Sequence, residues 1–266
     1  MNAIRTGVPA PRSADRAPAA GSALEKTLRI MEALAAPGGP HRLGSVAASS
    51  GVPKSSTYRV LVSLVEQGYA VTDGEGGYGM GLQLRTLAAQ VGADRPEGIV
   101  RLLEFLQRST GQSVHLALYD GGTGLTCVRK AESDRAFRTS TRVGTRLPLH
   151  ASAIGKAVLA HLPGAEVEAL ALATGLAPIT RRTITTVERL ADELVAVRAR
   201  GYALDQEESE VSVRCMAAPV FDRDGAPVGG LGLSAVTFLT SGEELEAYAP
   251  ALSEAARGVE RLLQLG

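Results

Sequence analysis

Residues 43–69, LGSVAASSGVPKSSTYRVLVSLVEQGY, read as two short helices joined by a tight turn. Val46 and Ala47 give the first helix an inward face. Gly51 falls where the turn needs positive φ, which glycine reaches without a Cβ clash. Pro53 suits the position at or just before the first turn of the second helix, where a missing N–H matters least. Along that second helix Thr57, Val60, Leu61, Leu64 and Val65 recur at i, i+3, i+4, i+7 and i+8, a single apolar stripe. The opposite face and the amino end carry Lys54, Ser55, Ser56, Tyr58 and Arg59.

Short hydroxyls and cations at a helix start are what a reader of the DNA major groove requires: donors for base edges and charge for phosphates. A plain helical hairpin with a solvated polar face has the same pattern, so the flanking residues matter. Downstream, Ala70-Val71 and Tyr78-Gly79-Met80 bracket a glycine-rich turn and predict a β-hairpin placed as a wing. Upstream, Ser22-Ala23-Leu24-Glu25 is a capping box opening a helix, with Leu24, Leu28, Met31 and Leu34 as the expected third wall of a three-helix core. Together these predict a winged helix-turn-helix over residues 22–80, with Lys54, Ser55, Ser56, Thr57, Tyr58 and Arg59 as candidate contacts to double-stranded DNA. Tyr69 and Tyr78 are expected to pack the wing.

The chain has 266 residues, of which 45% are hydrophobic and 21% charged, an ordinary globular balance. No apolar run reaches bilayer length and no signal peptide opens the sequence, so a cytoplasmic protein without a membrane partner is expected. Cys127 and Cys215 lie far apart with no CxxC pair, which indicates neither a zinc knuckle nor a disulfide framework. The formal net charge of zero is unevenly spread. Residues 1–93 hold nine basic and six acidic side chains, whereas residues 94–266 hold nineteen and twenty-two. A basic amino-terminal third on an acidic remainder fits a DNA-binding module joined to a part that does not touch DNA. Dimerisation would double its phosphate contacts.

Residues 1–21, rich in Ala, Pro and Arg, read as a disordered tail. Leu84, Leu87, Ala88 and Val91 predict a linker helix within residues 81–95, its apolar face covered either by its own domain or by a partner's equivalent helix. From residue 96 to 266 a mixed α+β domain is expected. A helix over Ile99–Arg108 precedes Ser113–Tyr119, which alternates like a half-buried strand, and the Asp120-Gly121-Gly122 turn leads to a partner strand, Leu125–Lys130. Helices are expected at Ser152–His161, Glu166–Ala173 and Thr186–Arg200, the last behind a Thr185-x-x-Glu188 box. Val213–Phe221 and Pro227–Val236 form a hairpin, and one helix runs from a Thr240-x-x-Glu243 box to Leu263. An antiparallel sheet flanked by helices, with no dinucleotide-binding glycine pattern and no P-loop, suggests a small-molecule sensor.

The stretch GYALDQEE at 201–208, followed by CMAAPVFD at 215–222, resembles the diagnostic segment of IclR-type bacterial transcription regulators. RVGTRLPLHASAIGKAVLA at 142–160 and GVPKSSTYRVLVSLVEQGY at 51–69 are similar to that family's other landmarks, and the resemblance spans about residues 22–264. It implies a winged-helix repressor or activator whose second domain has a GAF-like fold and binds a small metabolite, in homodimers and often dimers of dimers. By the same resemblance the effector pocket comprises Ala153, Ile154, Asp205, Cys215, Gly232 and Ser234.

The residue chemistry agrees. Small residues at Ala151–Gly155 open a helix, where free N–H groups favour an anion such as a carboxylate. Ser234 offers a hydroxyl and Cys215 a weak donor. Asp205 would repel an anion, so it is expected to accept a bond from a ligand hydroxyl, a water or a neighbouring N–H. Gly232 lowers the polar content and Ile154 narrows the site, which points to a small organic acid with some apolar or aromatic body. Cys215 as a nucleophile would need a base, for which His150 is the only plausible companion, and no orienting group is recognisable. Asp205, Glu207, Glu208 and Glu210 with His150 could ligate a metal, but an acidic turn held by solvent and backbone amides is commoner. No catalytic residue, metal ligand or cofactor is therefore assigned. The basic run Arg135, Arg138, Arg142 and Arg146 reads as a solvated strand edge. Two alternatives stay open: an enzyme acting on a small acid, and a winged helix that binds protein.

Overall fold

The computed structural model describes residues 22–36, 38–84, 86–87, 96–134 and 139–264. The expected tail and most of the linker helix lie outside them, although residues 82–84 and 86–87 are helical. The chain divides into two compact units, residues 1–93 and 94–266.

The first unit orders α1 (Ala23–Ala35), β1 (His41–Arg42), α2 (Leu43–Ser50), α3 (Lys54–Glu66), β2 (Ala70–Thr72) and β3 (Gly77–Met80). Ser22 caps α1, its Oγ accepting the Glu25 N–H at 3.1 Å. Gly51 ends α2 at φ 64°, and Pro53 stands immediately before α3. The three strands pair antiparallel in the order β1-β3-β2, so the wing is clamped by a strand that precedes the helix-turn-helix. Ile30, Leu34, Val46, Val52, Leu61, Leu64 and Ala70 fill the core, with Tyr69 and Tyr78 packed against it. α1 departs from the expected wall. Ile30 and Leu34 are buried, whereas Leu24 and Leu28 stand 69% and 51% exposed. The apolar surface of α1 is wider than the arc covered by α2, α3 and β3, and the covered arc centres on Ile30.

The second unit contains α4 (Pro96–Thr110), β4 (Ser113–Tyr119), β5 (Leu125–Ala131), α5 (Ala153–Leu159), α6 (Gly164–Thr174), α7 (Val187–Arg200), β6 (Ala203–Gln206), β7 (Val213–Phe221), β8 (Pro227–Val236), α8 (Gly242–Glu246) and α9 (Ala249–Gln264). Its strands form one antiparallel sheet in the order β5-β4-β8-β7-β6. Ile99, Leu103, Leu252 and Val259 of α4 and α9 cover one face over Val114, Leu116, Leu231 and Leu233. Ile154, Ala157 and Val158 of α5, with Leu190 and Leu194 of α7, cover the other over Ala117, Ala203 and Ala217. The fold is thus α+β, with helices packed on both faces of the sheet. This corrects the half-buried reading of β4, in which Ser113 to Ala117 are all buried.

Two helix starts lie one residue beyond the expected caps. Thr186, not Thr185, accepts from the Arg189 N–H, and Ser241 with Glu244, not Thr240 with Glu243, forms the capping box. The single carboxy-terminal helix is two, α8 and α9. Pro250 has no N–H and its ring clashes with the carbonyl four residues earlier, so the helix must restart, with Pro250 in the first turn of α9.

Ile30→Ala should destabilise the first unit by about 2–5 kcal/mol, whereas Leu24→Ala should stay within about 0.5 kcal/mol. Urea titration of the two variants checks this, and equal losses would contradict the rotated packing of α1.

Candidate functional site

The amino-terminal half of α3 is an exposed cationic and hydroxyl surface. Lys54, Ser55, Tyr58 and Arg59 are exposed and Ser56 is half-buried. No acidic side chain occurs in α3 before Glu66, so the positive end of the helix dipole and both cations act together. Thr57 is different. It is fully buried, and its hydroxyl donates to the Val52 carbonyl at 3.1 Å and the Pro53 carbonyl at 3.2 Å. That corrects its inclusion among the DNA contacts: the residue lies on the helix's inward stripe and ties the turn to α3. The wing turn is held by groups the sequence reading passed over. Asp73 accepts the N–H groups of Glu75 and Gly77, each at 2.8 Å, and these bonds keep its carboxyl below the usual range. Arg42 of β1 donates to the Glu75 carbonyl.

In the second unit, strand register brings distant residues together. Asp205 pairs with Cys215, Cys215 with Ser234 and Ser234 with Ser113, a rung across β6, β7, β8 and β4. The next rung toward α5 holds Ala203, Ala217, Gly232 and His115. Residues two apart in a strand share a face. These rungs therefore floor a cavity of about 140 Å³, lined by all six residues that the family resemblance implied, Ala153, Ile154, Asp205, Cys215, Gly232 and Ser234. His115, Arg146, Leu147 and Glu210 also line it and were not anticipated there.

Ile154 sets the shape of this cavity. A Cβ at Gly230 would come within 2.8 Å of its Cγ2, and one at Gly232 within 3.1 Å of its Cγ1. The isoleucine thus rests on bare backbone, filling volume that side chains at those positions would need. Gly155 is required for a different reason: its Cβ would lie 2.3 Å from the Leu149 carbonyl oxygen, so only glycine lets α5 start this close to the preceding turn. The α5 start is less open to an anion than its small residues suggested. The helix has seven residues, and Ser152 already accepts the Gly155 N–H at 3.1 Å.

The acidic turn after β6 is structural. Asp205, completely buried, accepts the Glu208 N–H at 2.7 Å, the Ser209 N–H at 3.3 Å and the Ser209 hydroxyl. Burial still pushes its carboxyl up. The neighbouring N–H groups expected among the partners of Asp205 are in place, joined by the Ser209 hydroxyl. Glu208 meets the buried Lys156 ammonium of α5 at 2.6 Å, and Lys156 reaches Glu193 of α7 at 3.3 Å. Glu193 in turn binds Arg200 at 2.7 Å. Glu207 accepts the Ser212 N–H and Glu210 the Ser140 hydroxyl. Each carboxylate weighed as a metal ligand is engaged by protein, and no cluster of three or more ligating groups occurs among the described residues.

His150 does not accompany Cys215. Its Nε2 lies 3.1 Å from the Ala177 carbonyl, whereas Cys215 Sγ sits 3.1 Å from Ser234 Oγ, itself 3.3 Å from His115 Nδ1. Burial, with Asp205 nearby, holds the thiol far above its ordinary value, and burial pulls the His115 imidazole down to about 3. This is a neutral thiol, hydroxyl and imidazole in series. Arg146 bridges Thr126 on the edge strand β5 with its side chain largely exposed, 3.7 Å from Asp120, as the strand-edge reading expects, and it also lines the cavity; Arg135 and Arg138 lie outside the described residues.

Comparison with known proteins finds two family models. Residues 23–74 match the IclR helix-turn-helix domain, and residues 97–261 match the carboxy-terminal domain of bacterial transcriptional regulators of the IclR type. The chain is 34% identical to the transcriptional regulator KdgR of Escherichia coli over 252 residues, 92% of this chain and 94% of that one. It is similar to the crystal structure of IclR from Thermotoga maritima, with a TM-score of 0.71 and 30% identity over 90% of this chain and 98% of that one. An IclR homologue from Microbacterium hydrocarbonoxydans, complexed with 4-hydroxybenzoate, shares the fold with a TM-score of 0.75 and 23% identity, over 91% and 99% of the two chains.

The depressed His115 value fixes the sign of a pH effect. The unfolded imidazole takes a proton below about 6.5, while the folded one stays neutral down to about 3. Its contribution is therefore present above about 6.5 and lost on acidification, by up to about 1.4 kcal/mol per pH unit. Denaturant unfolding from pH 7 to 4.5 should fall less steeply in His115→Asn than in the parent chain. Subtracting one profile from the other removes the contributions of His161, Asp205 and Glu208, and parallel profiles would refute the assignment.

Proposed function

Because the chain belongs to the IclR family and is a DNA-binding bacterial transcriptional regulator, we propose that α3 reads operator DNA while the cavity of the second unit binds a small organic-acid effector. The observation that carries the first part is the acid-free, exposed surface of Lys54, Ser55, Tyr58 and Arg59, with Ser56 at its border. Arg59 suits a base edge, since a guanidinium can pair bidentately with guanine, and Lys54 at the helix start suits a phosphate. The clamped wing supplies a second surface beside it.

For the effector, the support is a cavity of about 140 Å³ with a polar floor and apolar walls formed by Ile154, Leu147 and Ala153. It suits a planar or short-chain acid; 4-hydroxybenzoate is a sensible first probe. The cavity is read as binding its ligand without transforming it. Cys215 is held as a thiol, the neutral His115 reaches it only through Ser234, and a nucleophile needs the thiolate. Two copies would bind two half-sites, and a ligand preferring one spacing of the two α3 helices would shift operator affinity by its differential affinity alone. Homodimers and dimers of dimers, working in the cytoplasm, complete this reading. No helix among the described residues is long and apolar enough to cross a membrane.

Arg59→Ala should weaken binding to operator DNA by about 1–3 kcal/mol and relax discrimination at one base position. Lys54→Ala should weaken it across all sequences and reduce the salt slope by about one. Gel shifts on operator DNA over a series of salt concentrations, with parent and variant compared at each one, measure both. Unchanged affinity in both variants would reject α3 as the reading element.

A further inference from the structure

The register that builds the cavity places a buried imidazole in its wall with one nitrogen unspent. His115 is 3% exposed and lines the cavity, and its Nε2 has no hydrogen-bond partner among the described residues. The order of donors along the neighbouring groups is fixed by chemistry. Sulfur accepts hydrogen bonds poorly, so between Cys215 Sγ and Ser234 Oγ the thiol is the better donor and the hydroxyl oxygen the better acceptor. The Ser234 hydroxyl then has its proton free for His115 Nδ1, at 3.3 Å. An imidazole that accepts at Nδ1 carries its hydrogen at Nε2. The reverse order would leave both the thiol proton and the Nε2 lone pair without partners.

Resting on the effector reading above, we propose that His115 is the specificity-determining donor of this cavity, presenting Nε2–H to a carboxylate or ketone oxygen of the ligand. Ser234 then offers the ligand an acceptor only, because its proton is committed to His115. Asp205 accepts from its own turn and Glu210 Oε2 from Ser140, so each carboxylate already has protein donors. An N–H buried without a partner is unfavourable, and a ligand oxygen removes that penalty. The site therefore selects molecules with an acceptor at the enclosed end and an apolar body against Ile154. An amine of the same shape has no acceptor to offer and leaves Nε2–H unpaired.

The test uses the full chain labelled with ¹⁵N-histidine, with benzoate and pyruvate as probes and benzylamine as the mismatched control. Long-range proton–nitrogen spectra should show His115 as the Nε2–H tautomer, identified by the signal missing in His115→Asn. Either acid should raise the melting temperature and shift that nitrogen, and benzylamine should do neither. His115→Asn keeps an acceptor near Nδ1 for Ser234 but loses the donor, and should weaken acid binding about tenfold. His115→Gln, which extends an amide N–H toward the Nε2 position, should recover part of it. An Nδ1–H tautomer, or equal acid binding by His115→Asn, overturns the role of His115 and leaves the effector cavity standing. Failure of both acids to bind the parent chain overturns the cavity reading as well.

Discussion

The buried ion pair between Lys156 and Glu208 holds the second unit together at the point that matters most. Glu208 belongs to the turn after β6, which closes one side of the cavity, and Lys156 belongs to α5, which closes another. Taking two charges out of water is expensive and is offset only when each finds a close, well-directed partner. Lys156 has two carboxylates and Glu208 also accepts the Gln206 N–H, so the turn has one stable placement relative to the helix. Asp205 can then spend its oxygens on the turn's amides, and Cys215 and Ser234 face a floor of fixed height. The position of Ile154, two residues before Lys156, follows from the same constraint.

The first unit depends on a simpler rule. One short helix must present an apolar stripe inward and a cationic, hydroxyl surface outward, and Thr57 marks the border. Its hydroxyl belongs chemically with the outward set, yet its position puts it on the inward face, where the carbonyls of Val52 and Pro53 satisfy it. Residue type alone assigns it to DNA; position assigns it to the turn.

Much of this was legible in the residues. Strand limits for β4, β7 and β8 follow from apolar runs bounded by turn signals, and the helix-turn-helix follows from Gly51, Pro53 and the stripe on α3. The six effector-site positions came from family resemblance. Spacing cannot show that residues 115, 205, 215 and 234 share one face, because that is a property of register between strands far apart in sequence. His115 was missed for this reason. Its alternation with Val114 and Leu116 signals a strand, but which layer covers each face is decided by α4, α5 and α9. Leu24 and Leu28 were misjudged because an amphipathic pattern gives the width of an apolar face and not the arc its neighbours cover. The cap shifts at Thr186 and Ser241 have another cause. Adjacent hydroxyl residues both satisfy the pattern, and only backbone geometry chooses between them.

Ile154 seated over Gly230 and Gly232 also has an evolutionary reading. Volume can pass between the helix and the strand by reciprocal exchange, a smaller residue at 154 with a larger one at 232, without disturbing the polar rung beside them. Chemical taste can thus drift while the scaffold and its nucleic-acid reader stay unchanged. One architecture can in this way serve many metabolic circuits, each tuned by a handful of codons.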